Sequence, residues 1–328
     1  MSTPSRSELS LPSDRSASGG FSAAYARWLE RAGECQTIHF AVVVEYVLFA
    51  ACATMGLWAF TVQPGERQAP SSLLSYFPPG FLSSHVPFYV FRAMLWVGMG
   101  LWIAGLLMPW CCWITTIGAI GLWSMHLENT TDGAHVFHAA AMMLIVQSIW
   151  RTSLASEIAA AKREGTLWST PLYPRWAFWL GLFYMGWFHT LAGLAKLYES
   201  GFAWANGTSL QLWVHWDAYP WSPARDIICR YHGLAVFLQC LTLVFETSGI
   251  LGLSKRLRPW IGLGLLGFYV GVLTTFPYGF QYNAALTALF FLPFDRWIGE
   301  WVAKRQQRAA IRQRVQSPVS SQVPSPTT

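Results

Sequence analysis

HFAVVVEYVLFAACATMGLWAFTV, residues 39–62, is a predominantly apolar run long enough to cross the hydrocarbon core of a bilayer, which takes about 20 residues of helix. Comparable runs follow at 87–108, 110–127, 133–151, 174–198, 230–253, 259–276 and 280–297, separated by short polar punctuation. The pattern predicts an all-α fold, a polytopic membrane helix bundle of about eight transmembrane helices over residues 38–298. Residues 1–37, rich in Ser and Arg, form an N-terminal tail expected to be partly disordered, with an interfacial amphipathic piece at 21–31. Residues 299–328 form a C-terminal tail, basic and then Ser/Pro-rich, also expected to be disordered.

Composition agrees with that division. The chain is 53% hydrophobic and 12% charged, where an ordinary soluble domain is about 25% charged. Many of the 19 Trp stand at the ends of the apolar runs, where amphipathic rings settle at headgroup depth. The net charge of +6 sits in short loops and tails beside the runs, so it speaks for topology and not for nucleic acid. The six Cys include no CxxC pair or zinc spacing and read as small buried apolar residues. No removable signal peptide is visible, so the first span is expected to direct insertion.

Lys and Arg fix the orientation. With a cytoplasmic N-terminus, 17 of the 22 fall on cytoplasmic segments; the others are Arg67, Arg92, Lys196, Arg225 and Arg230. Such a bias predicts both termini in the cytoplasm and a multi-pass protein, of the cell membrane in a bacterium or the endoplasmic reticulum membrane in a eukaryote. Two sequons, at Asn129 and Asn206, then fall on the outer side.

This topology gathers ionisable side chains at one depth. His126 closes the third span, His135 and His138 open the fourth three residues apart, Lys196 lies in the outward end of the fifth with His189 two turns below it, and His232 opens the sixth. Ionisable groups inside a bilayer are costly and usually face a cavity or a partner. Other readings stay open: Lys196 can snorkel to the headgroups, and His126 and His232 sit near span ends, where they meet water. Glu246, in the cytoplasmic half of the sixth span, has no assigned partner.

Around Lys196 the chain reads Ala192-Gly193-Leu194-Ala195-Lys196-Leu197, then Trp204-Ala205-Asn206-Gly207. The string resembles the AGL-x-K-L … W-x-x-G signature of the horizontally transferred transmembrane (HTTM) domain, the membrane module of vitamin K-dependent gamma-carboxylase and of many bacterial relatives. The similarity runs over roughly residues 40–297. It implies a lyase-type mechanism in which a Lys acts as base on reduced vitamin K. Oxygen then converts this hydroquinone into a stronger base, which deprotonates a peptide Glu before carbon dioxide adds. By position, Lys196 would be the base and His135 the histidine of carboxylation, with His138, His189, His126, Trp204 and Gly207 around the substrate. The implied cofactor is a reduced quinone of the vitamin K type. Neither metal nor haem is expected, because the His residues share one depth instead of stacking through the membrane.

The sequence also departs from the family. Ala195 replaces the first of a Lys pair, three extra residues separate Lys196 from Trp204, and the seventh span reads Phe268-Tyr269-Val270-Gly271 where the family carries a His. The carboxylase continues into a large lumenal domain after its spans. The expected partners are therefore membrane lipids, a lipophilic small molecule and a protein supplying the missing extramembrane domain. Two functions follow: an enzyme acting on a quinol or another lipophilic substrate, or a non-catalytic membrane scaffold or lipid/quinone-binding protein.

Overall fold

The computed structural model describes residues 35–58, 85–129, 135–277 and 279–316. The amphipathic piece at 21–31, the proline-rich loop at 64–79 and the final Ser/Pro-rich stretch lie outside these residues. Helix dominates, in twelve α-helices among the described residues. In chain order they are α1 (His39–Trp58), α2 (Val86–Ile103), α3 (Trp110–Asn129), α4 (His138–Ser153), α5 (Ala155–Arg163), α6 (Arg175–Ser200), α7 (Thr208–Asp217), α8 (Pro223–Arg230), α9 (His232–Thr247), α10 (Arg258–Thr275), α11 (Gln281–Phe291) and α12 (Phe294–Gln316).

Two of them, α1 and α2, are long and apolar enough to cross a membrane, or three if α8 and α9 count as one bent span. That pair turns through 105° at Tyr231, so the expected sixth span begins at His232, and α8 lies across its end. The expected eighth span also divides. Leu292 leaves the helix in an extended conformation, Pro293 follows, and helix resumes at Phe294 and runs to Gln316, through the first half of the basic tail. One small sheet departs from the all-helical expectation: β1 (Cys35–Thr37) pairs antiparallel with β2 (Pro171–Pro174), joining the start of α1 to the start of α6.

Small residues set the closest helix contacts. A Cβ on Gly98 of α2 would stand 2.7 Å from the Thr115 amide nitrogen of α3, so only glycine admits that approach. The main core lies between α1, α4, α6 and α11, where Phe40, Phe178 and Phe290 meet edge-on or tilted at ring distances of 5.4 to 5.7 Å. Beside it Arg151 of α4 clamps Glu45 of α1 through Nε and Nη2, at 2.9 and 2.8 Å, with both side chains under a tenth exposed. A second apolar cluster, built on Val214, Ala218, Ile228, Ala235 and Phe276, joins α7 and α8 to the adjacent ends of α9 and α10.

The helix faces are more apolar than those of a water-soluble fold. Val97, Ile103, Leu194, Phe237, Val244 and Val270 are exposed along them, while Glu45, Arg151, Gln147, His189, Glu246 and Asn283 are buried within an otherwise apolar interior. Exposed apolar faces of this kind mark a surface that meets a membrane or a partner protein.

Candidate functional site

Helix α6 is the spine of the site, and its sequence explains the close approach of α9. A Cβ on Gly193 would lie 2.6 Å from the Thr247 amide nitrogen and 3.0 Å from Cβ of Glu246. One turn and two turns down, Thr190 Oγ1 accepts the Ile250 amide at 2.8 Å, and Gly186 faces Gly249 so closely that a Cβ on Gly249 would meet the Gly186 carbonyl oxygen at 2.6 Å. This groove brings Glu246 up to Lys196, whose Nζ donates to Glu246 Oε2 in an ion pair. The carboxylate is 5% exposed and the amine side chain 25%. Gly193→Leu is expected to force α9 away, lowering stability by about 1–3 kcal/mol as overpacking does. Thermal unfolding in detergent measures this, and an unchanged midpoint would deny the groove its role.

Past Ser200 the chain reverses at Gly201, whose φ of 58° is costly for other residues, and enters a 3₁₀ turn over Gly201–Ala205. That turn sets the Trp204 ring 5.1 Å from the Lys196 ammonium, a cation–π distance. Gly207, at φ 83°, donates its amide to Gln239 Oε1 at 2.6 Å, and Gln239 Nε2 donates to Ser209 Oγ at 2.8 Å. The two halves of the sequence motif thus close over α9: Trp204 on the amine, Gly207 on the helix that carries Glu246.

The histidines take other partners. His138, at the first turn of α4, lies 2.6 Å from Tyr184 Oη through Nδ1 and packs on Trp123 and Phe188. His189 is buried, with Nε2 3.3 Å from Tyr269 Oη. Phe188 therefore stands between the two, in ring contact with each. Tyr269 comes from the segment in which the family resemblance expects a His, and it is Tyr269 that meets His189. His232 is exposed, with Nδ1 3.0 Å from Gln211 Oε1. The backbones of His126 and His135 lie in α3 and in a 3₁₀ turn over His135–Phe137; their side chains fall outside the described residues.

Sequence reasoning left Glu246 without a role and did not single out Tyr184, Tyr269 or Gln239. The tyrosines sit in apolar runs, where an aromatic reads as core, and Gln239 gives no pattern. The depth of Glu246 misleads because the first half of α9 runs past the end of α6, beside Gly207, which lies against His232, Val236 and Gln239. Glu246, near the end of α9, therefore meets Lys196, near the end of α6.

Chemically, the pair sets a nearly enclosed carboxylate against a half-buried ammonium, so the carboxylate is the more poorly solvated of the two. Transfer of one proton along the Lys196–Glu246 hydrogen bond removes both charges and leaves a neutral amine, the form that acts as a base. Comparison with family models, with curated proteins and with solved structures gives no match for this chain.

Proposed function

We propose that the chain is a multi-pass integral membrane protein of the HTTM type, with about eight spans and both termini cytoplasmic, that acts on a reduced quinone or another lipophilic substrate. Lys196 is the base, Glu246 receives its proton, and Trp204 caps the amine. The exposed apolar helix faces and the Lys/Arg bias support the membrane reading. The Lys196–Glu246 pair, held by the Gly193 groove and covered by Trp204, carries the chemical reading. Buried ionisable pairs in apolar bundles are expensive and cluster at working sites.

His135 and His138 open α4, and His138 reaches α6 through Tyr184. They serve the substrate side of the same site, with His126 at the end of α3. Peptide carboxylation would require a partner protein to present the peptide; oxygenation of the quinol alone would not.

A second reading rests on a specific observation: Lys196, His138 and His189 each have a polar partner on another side chain. This satisfaction also suits a scaffold or quinone-binding protein without turnover. Organic extraction of the purified protein followed by mass spectrometry tests the shared element. A lipid quinone is expected to co-purify in near-stoichiometric amount; folded protein free of any quinone would remove quinone binding from both readings.

A further inference from the structure

Away from Lys196, a cleft of about 230 Å³ opens where α6, α10 and α12 begin. Arg175, the first residue of α6, Lys255, in the turn before α10, and Arg258, the first residue of α10, bring three cations to it. The β1–β2 register, Gln36 opposite Tyr173, adds the Gln36 amide to the wall. Among the described residues Asp295 is the one carboxylate in the lining, and its buried Oδ1 has no hydrogen-bond partner. Arg175 is engaged in a contact of its own, and Lys255 and Arg258 together still outnumber that carboxylate.

The floor is aromatic and firm. Phe178 is buried, and the Arg258 guanidinium carbon lies 5.6 Å from its ring centroid, which holds that side chain over the cleft. Exposed Trp260, Trp297 and Trp301, on the first turns of α10 and α12, stand at the same end of the bundle. Exposed Trp in this position is the signature of headgroup depth. A concave cationic site at that depth matches a phosphate group, which takes charge-assisted hydrogen bonds from Arg forks and Lys.

We propose that the cleft of Arg175, Lys255 and Arg258 binds a phosphate monoester or diester, supplied by an anionic lipid headgroup whose acyl chains lie along the apolar helix faces. The proposal rests on the membrane reading above. A free phosphate would use the same chemistry, and the experiment separates the two sources.

The full-length chain in detergent is titrated with phosphatidic acid, followed by native mass spectrometry. Removing a cation near an anionic headgroup costs roughly fivefold in affinity, so Lys255→Gln with Arg258→Gln should weaken binding on the order of twentyfold. Lys304→Gln with Arg308→Gln, on the exposed face of α12, should leave it unchanged. Lys255→Gln alone, at an exposed turn, should show part of the loss with an unchanged melting midpoint, which separates binding from folding. Competition by excess inorganic phosphate would assign the site to a soluble phosphate compound; persistence of the lipid complex would assign it to the headgroup. Equal affinity in the cleft variants, or equal loss in the α12 control, would overturn the proposal. Failure of the membrane reading looks different: the chain would leave the membrane fraction under alkaline carbonate.

Discussion

Lys196→Met is expected to abolish oxygen uptake driven by a reduced vitamin K-type quinol, lowering the rate by about 10²–10⁴, the usual contribution of a positioned base. Methionine keeps the length and apolar stem of lysine and removes the amine. The substitution also strands Glu246, a carboxylate only 5% exposed. An uncompensated charge of that kind costs roughly 3–5 kcal/mol. Lost activity in the single variant therefore mixes chemistry with folding. Adding Glu246→Gln removes the stranded charge and should restore the melting midpoint while leaving the rate at background. In the scaffold reading the same double variant would be as stable and would retain every function of the protein, quinone retention included.

Arg151→Met should have a large effect on stability. The guanidinium makes two parallel hydrogen bonds to Glu45, at 2.9 and 2.8 Å, and stacks 4.3 Å from the Trp150 ring centroid. Nothing about this pair depends on the substrate: it ties α1 to α4 well away from Lys196 in the chain. Without Arg151 the buried Glu45 carboxylate loses its ion-pair partner, and a loss of about 3–5 kcal/mol follows. Total stabilities run from about 5 to 15 kcal/mol, so much of the variant should fail to accumulate as folded protein. Glu45→Gln combined with Arg151→Met should recover most of the loss, since a hydrogen-bonded neutral group replaces an isolated charge. Melting midpoints of the two proteins in detergent decide the matter; a wild-type midpoint for Arg151→Met would show that the clamp is dispensable.

The apolar runs marked where helices form, because length and composition suffice for that. The third run, 110–127, and the seventh, 259–276, agree with α3 and α10 to within two residues. Breaks inside runs were harder to see. Pro293 ends α11 inside the expected eighth span, and Tyr231 turns α8 from α9 at the start of the expected sixth. The β1–β2 ribbon is too short, and too bounded by proline, to show an alternating pattern. At the site, Lys196 and Trp204 were legible as a motif, and the structure sets one on the other. The partnership with Glu246 was not, because it spans 50 residues and depends on α9 running past the end of α6. Tyr269 was hidden for a simpler reason: in a sequence, a tyrosine beside a phenylalanine looks like packing.

In the proposed function the half-buried Lys196–Glu246 pair works on a quinol and is more than a helix pin. Oxygen uptake with a reduced vitamin K-type quinol, measured on wild-type protein and on the folded Lys196→Met/Glu246→Gln variant, tests it most directly. Uptake by the wild type and none above background in the variant, at matched melting midpoints, is the expected result. Equal rates in the two proteins, or no uptake by the wild type, would contradict it.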